Sequence, residues 1–324
     1  MEKKVAREYL KERYETVNNY SELPPLPRSL SIELNNTCNQ KCVFCPYHGD
    51  YAPTVPKPAV MSYDMAVRLL DEAMKLGIGK KEVGFYFAGE VFLHKDLHRI
   101  IRYAKEIGFE YTYITTNGSL ANQEKIRNVL DAGCDSIRFS INAADRESYE
   151  EIHGRDDFDK VLQNVKFMHS YIKENSLKTA TSISCILTKK TEDVKEKIKN
   201  IFGDFVDDII FMPVILNRLK CEQNFIDEYG LVDTTDTSIN YDFICPIVFD
   251  SMYINANLEV VPCCEAYCEN VVCFDLKQEF DLRKAWESEG LKKYRNIFLK
   301  KQEGKGTVCE NCYLRMTGLK LSLE

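Results

Sequence analysis

Cysteine is the residue type in this sequence whose number and spacing point to chemistry. The 324 residues include 13 cysteines, an odd number. Three of them, Cys38, Cys42 and Cys45, lie within eight residues in the pattern C-x3-C-x2-C. Disulfide frameworks are typical of much shorter secreted chains, whereas clustered thiols in a reducing compartment ligate metals. The pattern therefore predicts a metal or iron–sulfur site.

The three-cysteine loop favours an iron–sulfur cluster over zinc. Such clusters are normally held by one thiolate per iron, so three thiolates on a four-iron cluster leave one iron open to an outside ligand. A structural zinc ion would need a fourth thiol or imidazole, and only His48 is close along the chain. We therefore expect a cluster with one open coordination position.

A second set of thiols lies in the C-terminal third. Cys309 and Cys312 form a C-x2-C pair, and Cys245 and Cys263 are single thiols ahead of it. This arrangement is typical of a four-ligand site, and the spacing alone leaves zinc and a [4Fe–4S] cluster open. The remaining cysteines are interpreted as packing or surface thiols, although the last three could exchange with the predicted ligands: Cys134, Cys185, Cys221, Cys264, Cys268 and Cys273.

The elements that must position these thiols alternate between strand and helix. Candidate strands span 30–35, 81–88, 110–115, 136–142, 180–187 and 207–213. Helical patterns lie between them at 62–76, 95–107, 122–132, 146–174 and 191–202. Strands separated by helices pair in parallel through right-handed crossovers, which predicts an α/β fold.

Several candidate strands carry one polar face. A parallel strand that is covered on both faces should be continuously apolar, yet 136–142 alternates apolar with polar residues. The polar positions of the predicted strands include Tyr86, Tyr113, Thr115, Arg138, Ser182 and Ser184. Such a pattern predicts a partial (β/α)6 barrel around a cavity, with the ligand at the C-terminal ends of the strands.

The rest of the chain suggests four segments. Residues 3–19 are predicted to form an amphipathic helix, and a proline-rich stretch follows. Residues 251–262 resemble a β-hairpin that turns at Ala256 and Asn257, and 281–298 resembles a helix. The predicted organisation is a lead-in (1–29), the barrel (30–215), a connecting loop (216–244) and a small C-terminal domain of hairpin plus helix (245–324).

The first cysteine loop, with Phe44 directly before its last cysteine, resembles the signature of radical S-adenosylmethionine (SAM) enzymes. The resemblance implies that the amino and carboxylate groups of SAM bind the open iron. It also implies that reductive cleavage of SAM releases a 5'-deoxyadenosyl radical, which abstracts hydrogen from a substrate. An external reductant such as flavodoxin or ferredoxin would supply the electron.

Further turns resemble the same family in the expected order. The segment 88–91 (AGEV) resembles the Gly-Gly-Glu-Pro turn after the second strand and keeps two of its four positions. The segment 115–118 (TTNG) resembles the Thr-Asn-Gly turn after the third strand, and polar residues end the fourth. By this resemblance, the cofactor-binding residues are Phe44, Gly89, Glu90, Thr115, Asn117, Ser140 and Asn142.

The C-terminal region resembles a SPASM or twitch domain, the auxiliary-cluster extension of one branch of the family. Leu258 stands where Gly is usual in its hairpin, and Gly318 stands where a full SPASM domain has a further cysteine. The shorter twitch arrangement fits better. It implies one auxiliary [4Fe–4S] cluster, and so two clusters in the chain, with Cys245, Cys263, Cys309 and Cys312 as its ligands.

Composition limits the partners. The net charge of −7 argues against a nucleic-acid substrate, which needs clustered Lys and Arg. The N-terminus has no signal-peptide core, and no stretch approaches the ~18 apolar residues of a membrane span, so we expect a cytoplasmic protein with no membrane partner.

The two cluster types together suggest a reaction. A fully ligated auxiliary cluster has no iron for substrate and suits electron transfer. We expect oxidation of a sugar, aminocyclitol or similar polar small molecule. The alternative is cross-linking or epimerisation of a ribosomal peptide, and a third interpretation is a non-catalytic metal or electron-transfer protein, for which the predicted cavity would have no purpose. The sequence identifies no catalytic base.

Overall fold

A single twisted sheet organises the described part of the chain. The computed structural model describes residues 17–53, 57–191, 193–216, 219–230, 239–266, 271–310, 312 and 314–315. Within these residues the sheet has nine strands in the order β6-β5-β4-β3-β2-β1-β7-β8-β9. The strands are β1 (Ser29–Ile32), β2 (Glu82–Phe85), β3 (Thr112–Thr116), β4 (Ser136–Ser140), β5 (Ala180–Leu187), β6 (Asp208–Pro213), β7 (Ser251–Ile254), β8 (Glu259–Val261) and β9 (Phe274–Asp275).

Helices connect the first six strands, which pair in parallel. The helices of the described residues are α1 (Tyr63–Leu76), α2 (Leu97–Glu106), α3 (Gln123–Asp131), α4 (Arg146–His153), α5 (Phe158–Glu174), α6 (Val194–Phe202), α7 (Gln223–Tyr229), α8 (Ile247–Asp250), α9 (Leu282–Trp286) and α10 (Glu289–Leu299). Short 3-10 turns occur at Val91–Leu93, Lys189–Thr191 and Gly203–Phe205. The predicted α/β partial barrel is confirmed.

The helix ends follow local signals in the sequence. The Ser62 side chain accepts the Met65 backbone N–H at 3.2 Å at the start of α1. Gly77 ends this helix in the left-handed conformation, with φ of +78°. The Asn122 side chain caps α3 in the same way as Ser62 caps α1. These caps explain why the predicted and observed helix bounds nearly agree.

The outer face of the barrel forms the main core. Side chains alternate along each strand, so one set faces the helices. Members of this set are at most 1% exposed: Leu30, Ile32, Val83, Phe85, Ile114, Ile137, Phe139 and Ile183. The opposite set is the polar face predicted from the sequence, and it lines the inside of the barrel.

Two predicted helices are each divided in the structure. The predicted segment 146–174 is split into α4 and α5, because Gly154 adopts a left-handed φ of +70° and ends α4. The predicted helix 281–298 is split into α9 and α10, because the Ser288 side chain caps a new helix by accepting the Leu291 N–H. Both breaks are therefore capping events within one apolar pattern.

The polar region 216–244 is not only a loop, as α7 forms within it. Phe225 and Tyr229 of α7 stack with ring centroids 4.6 Å apart, and Phe225 also packs on Tyr51 at 4.5 Å. Tertiary packing of two aromatic rings thus supports a helix too short to show a clear period. Most of the predicted N-terminal helix at 3–19 lies outside the described residues.

The C-terminal hairpin continues the barrel sheet. Strand β7 pairs in parallel with β1 over four residues, and β8 and β9 follow in antiparallel pairings. At the base of this pairing, Arg28 donates from Nε to Asp250 Oδ1 at 2.9 Å and from Nη2 to Oδ2 at 2.7 Å. The region after residue 245 is thus hydrogen-bonded to the first strand of the barrel.

Among the residues described, none of the helices combines the length and the apolar character that crossing a lipid bilayer requires.

Candidate cluster and cofactor site

A cavity lies at the C-terminal ends of β1 to β4, where the sequence predicts the cofactor. It brings together eight residues from the predicted set: Cys38, Cys42, Gly89, Glu90, Thr115, Asn117, Ser140 and Asn142. Its other lining residues are Gln40, Tyr86, Phe87, Ala88, Thr116 and His153. Residues that are up to about one hundred positions apart in sequence therefore face one space.

The first cysteine loop is docked on the end of α4. The Lys41 N–H donates to the His153 carbonyl at 3.1 Å, and the Val43 N–H donates to Ile152 at 3.0 Å. Gly154 completes this contact, because a Cβ there would lie 3.0 Å from the Lys41 carbonyl oxygen and the backbone has a positive φ. The loop conformation thus depends on a glycine more than one hundred residues away.

Polar hydrogens surround the thiols of this loop. The backbone N–H of Gln40 lies 3.4 Å from Cys38 Sγ, and that of His48 lies 3.3 Å from Cys45 Sγ. The Asn117 side-chain amide lies 3.7 Å from Cys38 Sγ. Such N–H groups stabilise thiolates and are one of the features that set cluster potentials.

The chemistry of these donors fits an iron–sulfur cluster. Burial raises the pKa of Cys38 to about 11, and negative charge on Glu90 and Cys45 adds to the effect. Burial also raises the pKa of Cys42, and charges on Cys45 and Cys38 raise it further. Neighbouring buried thiolates need a cationic group to neutralise them, and irons would do so.

Glu90 links the turns after β2 and β3. It is 2% exposed, and its carboxylate accepts the Thr116 hydroxyl at 2.6 Å, the Asn117 N–H at 2.7 Å and the Phe92 N–H at 3.0 Å. Burial raises the pKa of Glu90, whereas these hydrogen bonds lower it. One buried carboxylate therefore holds together two of the predicted cofactor-binding turns.

Gly89 allows the turn after β2 to approach the turn after β1. A Cβ at Gly89 would lie 2.3 Å from the Asn35 carbonyl oxygen and 2.8 Å from that of Thr37, closer than any side chain tolerates. The adjacent Glu90 N–H donates to the Thr37 carbonyl at 2.8 Å. Backbone packing alone therefore requires the glycine of the predicted motif.

Asn142 has a structural hydrogen bond in addition to its position in the cavity. Its side-chain oxygen accepts the Ile186 N–H at 2.7 Å, which ties the end of β4 to β5.

Phe44 is placed differently from the rest of the predicted set. Its side chain is buried in an apolar cluster with Val214, Leu216 and Phe225, apart from the residues that line the cavity. Cys45 lies on the same loop and also does not line the cavity.

His153 also lines the cavity, although it was not identified from the sequence. Its Nε2 accepts the Asn142 N–H at 3.2 Å, so in the neutral ring Nδ1 carries the proton. Nδ1 lies 3.0 Å from Gln40 Oε1 and 3.4 Å from Cys42 Sγ. Burial lowers the pKa of His153 to about 3, which keeps the ring neutral. No local spacing identifies this residue, because its partners are distant in sequence.

We expect His153→Phe to lower the reduction potential of a cluster bound by the first loop. The variant removes the N–H that faces Cys42 Sγ, and loss of such a bond disfavours the more negative reduced cluster. Redox titration monitored by EPR measures the change. His153→Gln, which can still donate, should recover part of the potential, and His98→Phe on α2 is a control for a histidine outside the cavity. An unchanged potential in His153→Phe contradicts this role.

Glu33 connects the cavity with the C-terminal hairpin. It follows β1 and is 3% exposed. Oε1 accepts the Ala88 N–H and Oε2 accepts the Ala256 N–H, each at 2.9 Å. One oxygen therefore binds the turn before Gly89, and the other binds the turn of the hairpin. Burial raises the pKa of Glu33 to about 7, although the backbone donors lower it.

The raised pKa predicts a loss of stability with rising pH. A carboxyl with a folded pKa of about 7 and an ordinary value of 4.5 binds more protons when folded. Below pH 4.5 this carboxyl contributes fully to the free energy of unfolding, and the contribution is lost as the pH rises to about 7. The upper bound on this contribution is about 3 kcal/mol. Apparent melting temperatures from pH 5 to 8 should fall less steeply in Glu33→Gln than in the parent. Glu90, whose pKa burial also raises, is present in both proteins, so a difference between them can be assigned to Glu33. If the melting temperature fell equally steeply with pH in both proteins, Glu33 would be excluded as the cause.

The structure brings the four predicted auxiliary ligands together. Burial raises the pKa of Cys245 well above its usual range, and the charges of Cys312 and Cys309 raise it further. Burial likewise raises the pKa of Cys263, as do Cys264, Cys309 and Cys312. The backbone N–H groups of Ile247 and Val248, at the start of α8, partly offset this rise in the pKa of Cys245. These donors suit a second cluster for the same reason as the first set.

Arg315 holds the C-x2-C segment. It is 2% exposed, and its Nη1 donates to the carbonyls of Glu303 at 2.6 Å and Cys309 at 3.1 Å.

In the hairpin, Leu258 has a φ of +62°, which lies in the left-handed region. Glycine adopts this conformation without strain, which explains why glycine is usual at that position.

The other cysteines lie in different surroundings. Cys134 and Cys185 are buried in the main core, and Cys221 lies in the segment before α7. Cys264 and Cys273 are half-buried beside the auxiliary set. Cys268 lies outside the described residues. The packing interpretation is therefore best supported for the first two.

Comparison with known proteins gives matches to both regions. Residues 32–201 match the radical SAM superfamily, and residues 245–313 match SPASM, an iron–sulfur cluster-binding domain. A probable GTP 3',8-cyclase of Saccharolobus solfataricus is 31% identical over 137 residues, which cover 42% of this chain and 42% of that relative. The chain thus spans less than half the length of this curated relative.

Solved structures share the fold at low sequence identity. Streptococcus suis SuiB bound to precursor peptide SuiA is 17% identical with a TM-score of 0.65, over 90% of this chain and 69% of that chain. BtrN in complex with AdoMet and 2-DOIA is 16% identical with a TM-score of 0.56, over 89% and 93%. At these identities the similarity concerns the fold alone.

Proposed function

Because the chain belongs to the radical SAM superfamily, and so is an enzyme that uses [4Fe–4S] clusters and SAM, we propose that it oxidises a hydroxyl group of a polar small molecule. A sugar or an aminocyclitol is the substrate class that we favour. The observation that carries this proposal is a hydroxyl-rich barrel interior beside the cofactor cavity, together with a second set of four thiols, of which two are buried and two are half-buried.

The bound groups would supply one-electron chemistry, with reductive cleavage of SAM to a 5'-deoxyadenosyl radical at the first loop and electron acceptance at the second. Cys38, Cys42 and Cys45 would hold the first cluster. The protein itself would orient the cofactor through the turns that Glu90 holds together. Ser140 lines the same cavity and offers a further hydroxyl for hydrogen bonding.

Tyrosine hydroxyl groups line the adjoining barrel interior. The Tyr86 hydroxyl lies 3.3 Å from Ser31 Oγ and 3.3 Å from the Tyr253 hydroxyl. The rings of Tyr86 and Tyr113 pack with centroids 5.3 Å apart. Aromatic faces that carry hydroxyl groups bind the apolar and polar faces of a sugar or cyclitol ring, whereas an apolar interior would not.

The auxiliary set of thiols favours oxidation of the substrate. Loss of a hydrogen atom from the carbon that bears a hydroxyl leaves a carbon radical, and loss of one proton and one electron then gives a carbonyl. A four-thiol set leaves no iron for substrate and so suits the acceptance of that electron. The external reductant supplies a separate electron for SAM cleavage. Flavodoxin or ferredoxin would fit this role.

The order of the auxiliary cysteines supports the same reaction class. A single thiol, a hairpin, a second thiol and a C-x2-C pair are similar in spacing to 2-deoxy-scyllo-inosamine dehydrogenase. Modification of a ribosomal peptide is the second candidate, and SuiB, which was solved with a precursor peptide, shares the fold.

The experiment is anaerobic reconstitution with iron and sulfide, followed by dithionite, SAM and a panel of sugars and aminocyclitols. We expect 5'-deoxyadenosine together with a product that is two hydrogens lighter than its substrate. Absence of 5'-deoxyadenosine under every condition would reject the radical mechanism. A modified peptide and no oxidised small molecule would favour the second candidate.

A further inference from the structure

Three polar side chains on β4, β5 and β6 lie side by side across the barrel. Arg138 is paired with Ser182, and Ser182 is paired with Asp208. Residues in register on neighbouring strands point to the same face, with strands about 4.8 Å apart. We call these three residues the polar row.

The polar row faces the inside of the barrel. The residues next to it in sequence occupy the other face, where the Thr181 N–H donates to Asp207 at 2.8 Å. Ile137 and Ile183 are likewise buried in the main core. Because side chains alternate along a strand, the polar row points inward. Thr115 is paired with Arg138 and lines the cofactor cavity, so the row adjoins that cavity.

The polar row has buried atoms without hydrogen-bond partners. Nε of Arg138, Oγ of Ser182 and Oδ2 of Asp208 are buried, and each lacks a partner among the described residues. Ser182 is 1% exposed. Buried polar groups are almost always paired, so three such atoms in one row call for partners beyond the described residues. A bound ligand is a natural source.

We propose that the polar row binds a zwitterionic part of the substrate, with an acidic group on Arg138 and an ammonium group on Asp208. A guanidinium donates two parallel bonds to a carboxylate or phosphate, and an ionised carboxylate only accepts. The hydroxyl of Ser182, between them, can bond to either group. This inference rests on the proposed function and narrows its substrate class to small molecules with both an amino and an acidic group.

The spacing of the strands matches such a ligand. Two strand spacings separate the backbones of β4 and β6, which is about 10 Å. The two charged side chains extend from the backbone into the same space, so a small molecule can contact both. A neutral polyol could form hydrogen bonds to both side chains but would offer neither of them an opposite charge.

Four compounds with one ring separate the two charges: glucosamine 6-phosphate, glucose 6-phosphate, glucosamine and glucose. Anaerobic calorimetry of the reconstituted protein with SAM bound measures their affinities at neutral pH. We expect glucosamine 6-phosphate to bind at least about tenfold more tightly than either singly charged compound, and glucose to bind most weakly. Arg138→Met should abolish the advantage of the phosphate, and Asp208→Asn the advantage of the amine.

Matched controls remove the same groups elsewhere. Arg127→Met on the exposed face of α3 and Asp193→Asn before α6 should leave the affinity order unchanged. Iron content and circular dichroism establish that each variant is folded, and Arg138→Lys should retain part of the phosphate preference. Equal affinity for all four compounds, no binding, or an unchanged order in the variants of the row would overturn the proposal, because water alone would then fill the row.

Failure of this inference differs from failure of the proposed function. Binding is measured without dithionite, so it does not depend on turnover. If the protein cleaves no SAM after reduction but binds the four compounds in the expected order of affinity, the proposed function is rejected and the binding role of the polar row is supported. If SAM is cleaved but this order of affinity is absent, only the binding role of the polar row is rejected.

Discussion

Cys38→Ala should reduce formation of 5'-deoxyadenosine from SAM to background, a loss of at least about a thousandfold. The thiol lines the cofactor cavity, and two N–H groups point at it. Without it, the loop retains two thiolates for a four-iron cluster, which is too few to hold the cluster. Iron should therefore fall from about eight to about four per chain, since the auxiliary set is intact.

Mass spectrometry of the nucleoside and colorimetric iron analysis provide the two measurements. Cys221→Ala is the matched control, because this thiol lies in the segment before α7 and outside both sets. It should keep both the iron and the activity. If Cys38→Ala kept its SAM cleavage, the first loop could not be the cluster site.

Cys309→Ala should separate SAM cleavage from substrate oxidation. The variant removes a buried thiol of the predicted auxiliary set, so iron should again fall to about four per chain while the cofactor cavity is intact. We expect SAM cleavage within about tenfold of the parent, and loss of the oxidised product by at least about a hundredfold. Without an acceptor, the substrate radical would gain one electron from dithionite and one proton from solvent, which returns it to the substrate while 5'-deoxyadenosine is still formed.

The control for this variant is a cysteine in the same C-terminal region, after residue 245. Cys264 adjoins Cys263 and affects its pKa, yet it is outside the predicted ligand set. Cys264→Ala should therefore retain about eight irons and two cluster signals by EPR. If Cys264→Ala lost the second signal and Cys309→Ala kept it, Cys264 would be a ligand of the auxiliary cluster in place of Cys309.

The parts of the fold predicted from sequence depend on local patterns. Caps such as Ser62 and Asn122 and the left-handed Gly77 mark helix ends within a few residues of the apolar period. The order of short turns after successive strands then locates the cavity, because parallel strands end at one edge. Fold and cavity were therefore predictable from features that each span fewer than twenty residues.

The missing parts depend on contacts between distant residues. His153 contacts Cys42 across 111 positions, and Glu33 reaches the Ala256 N–H across 223. A single histidine or glutamate in one sequence gives no sign of such partners. Likewise, α7 is stabilised by aromatic packing that its polar sequence does not reveal. Phe44 was assigned to the cofactor by resemblance, and that role remains a prediction.

The pairing of β7 with β1 has a consequence for electron flow. The first cysteine loop follows β1 and Cys263 follows β8 of one continuous hydrogen-bonded sheet, and Glu33 bridges the turn before Gly89 and the turn of the hairpin. We expect the strand pairings among the described residues to fix the separation between two redox centres held on this frame. Tunnelling rates fall steeply with distance, so a fixed separation makes transfer independent of diffusive domain movement. Solvent viscosity should accordingly leave the internal electron transfer rate unchanged.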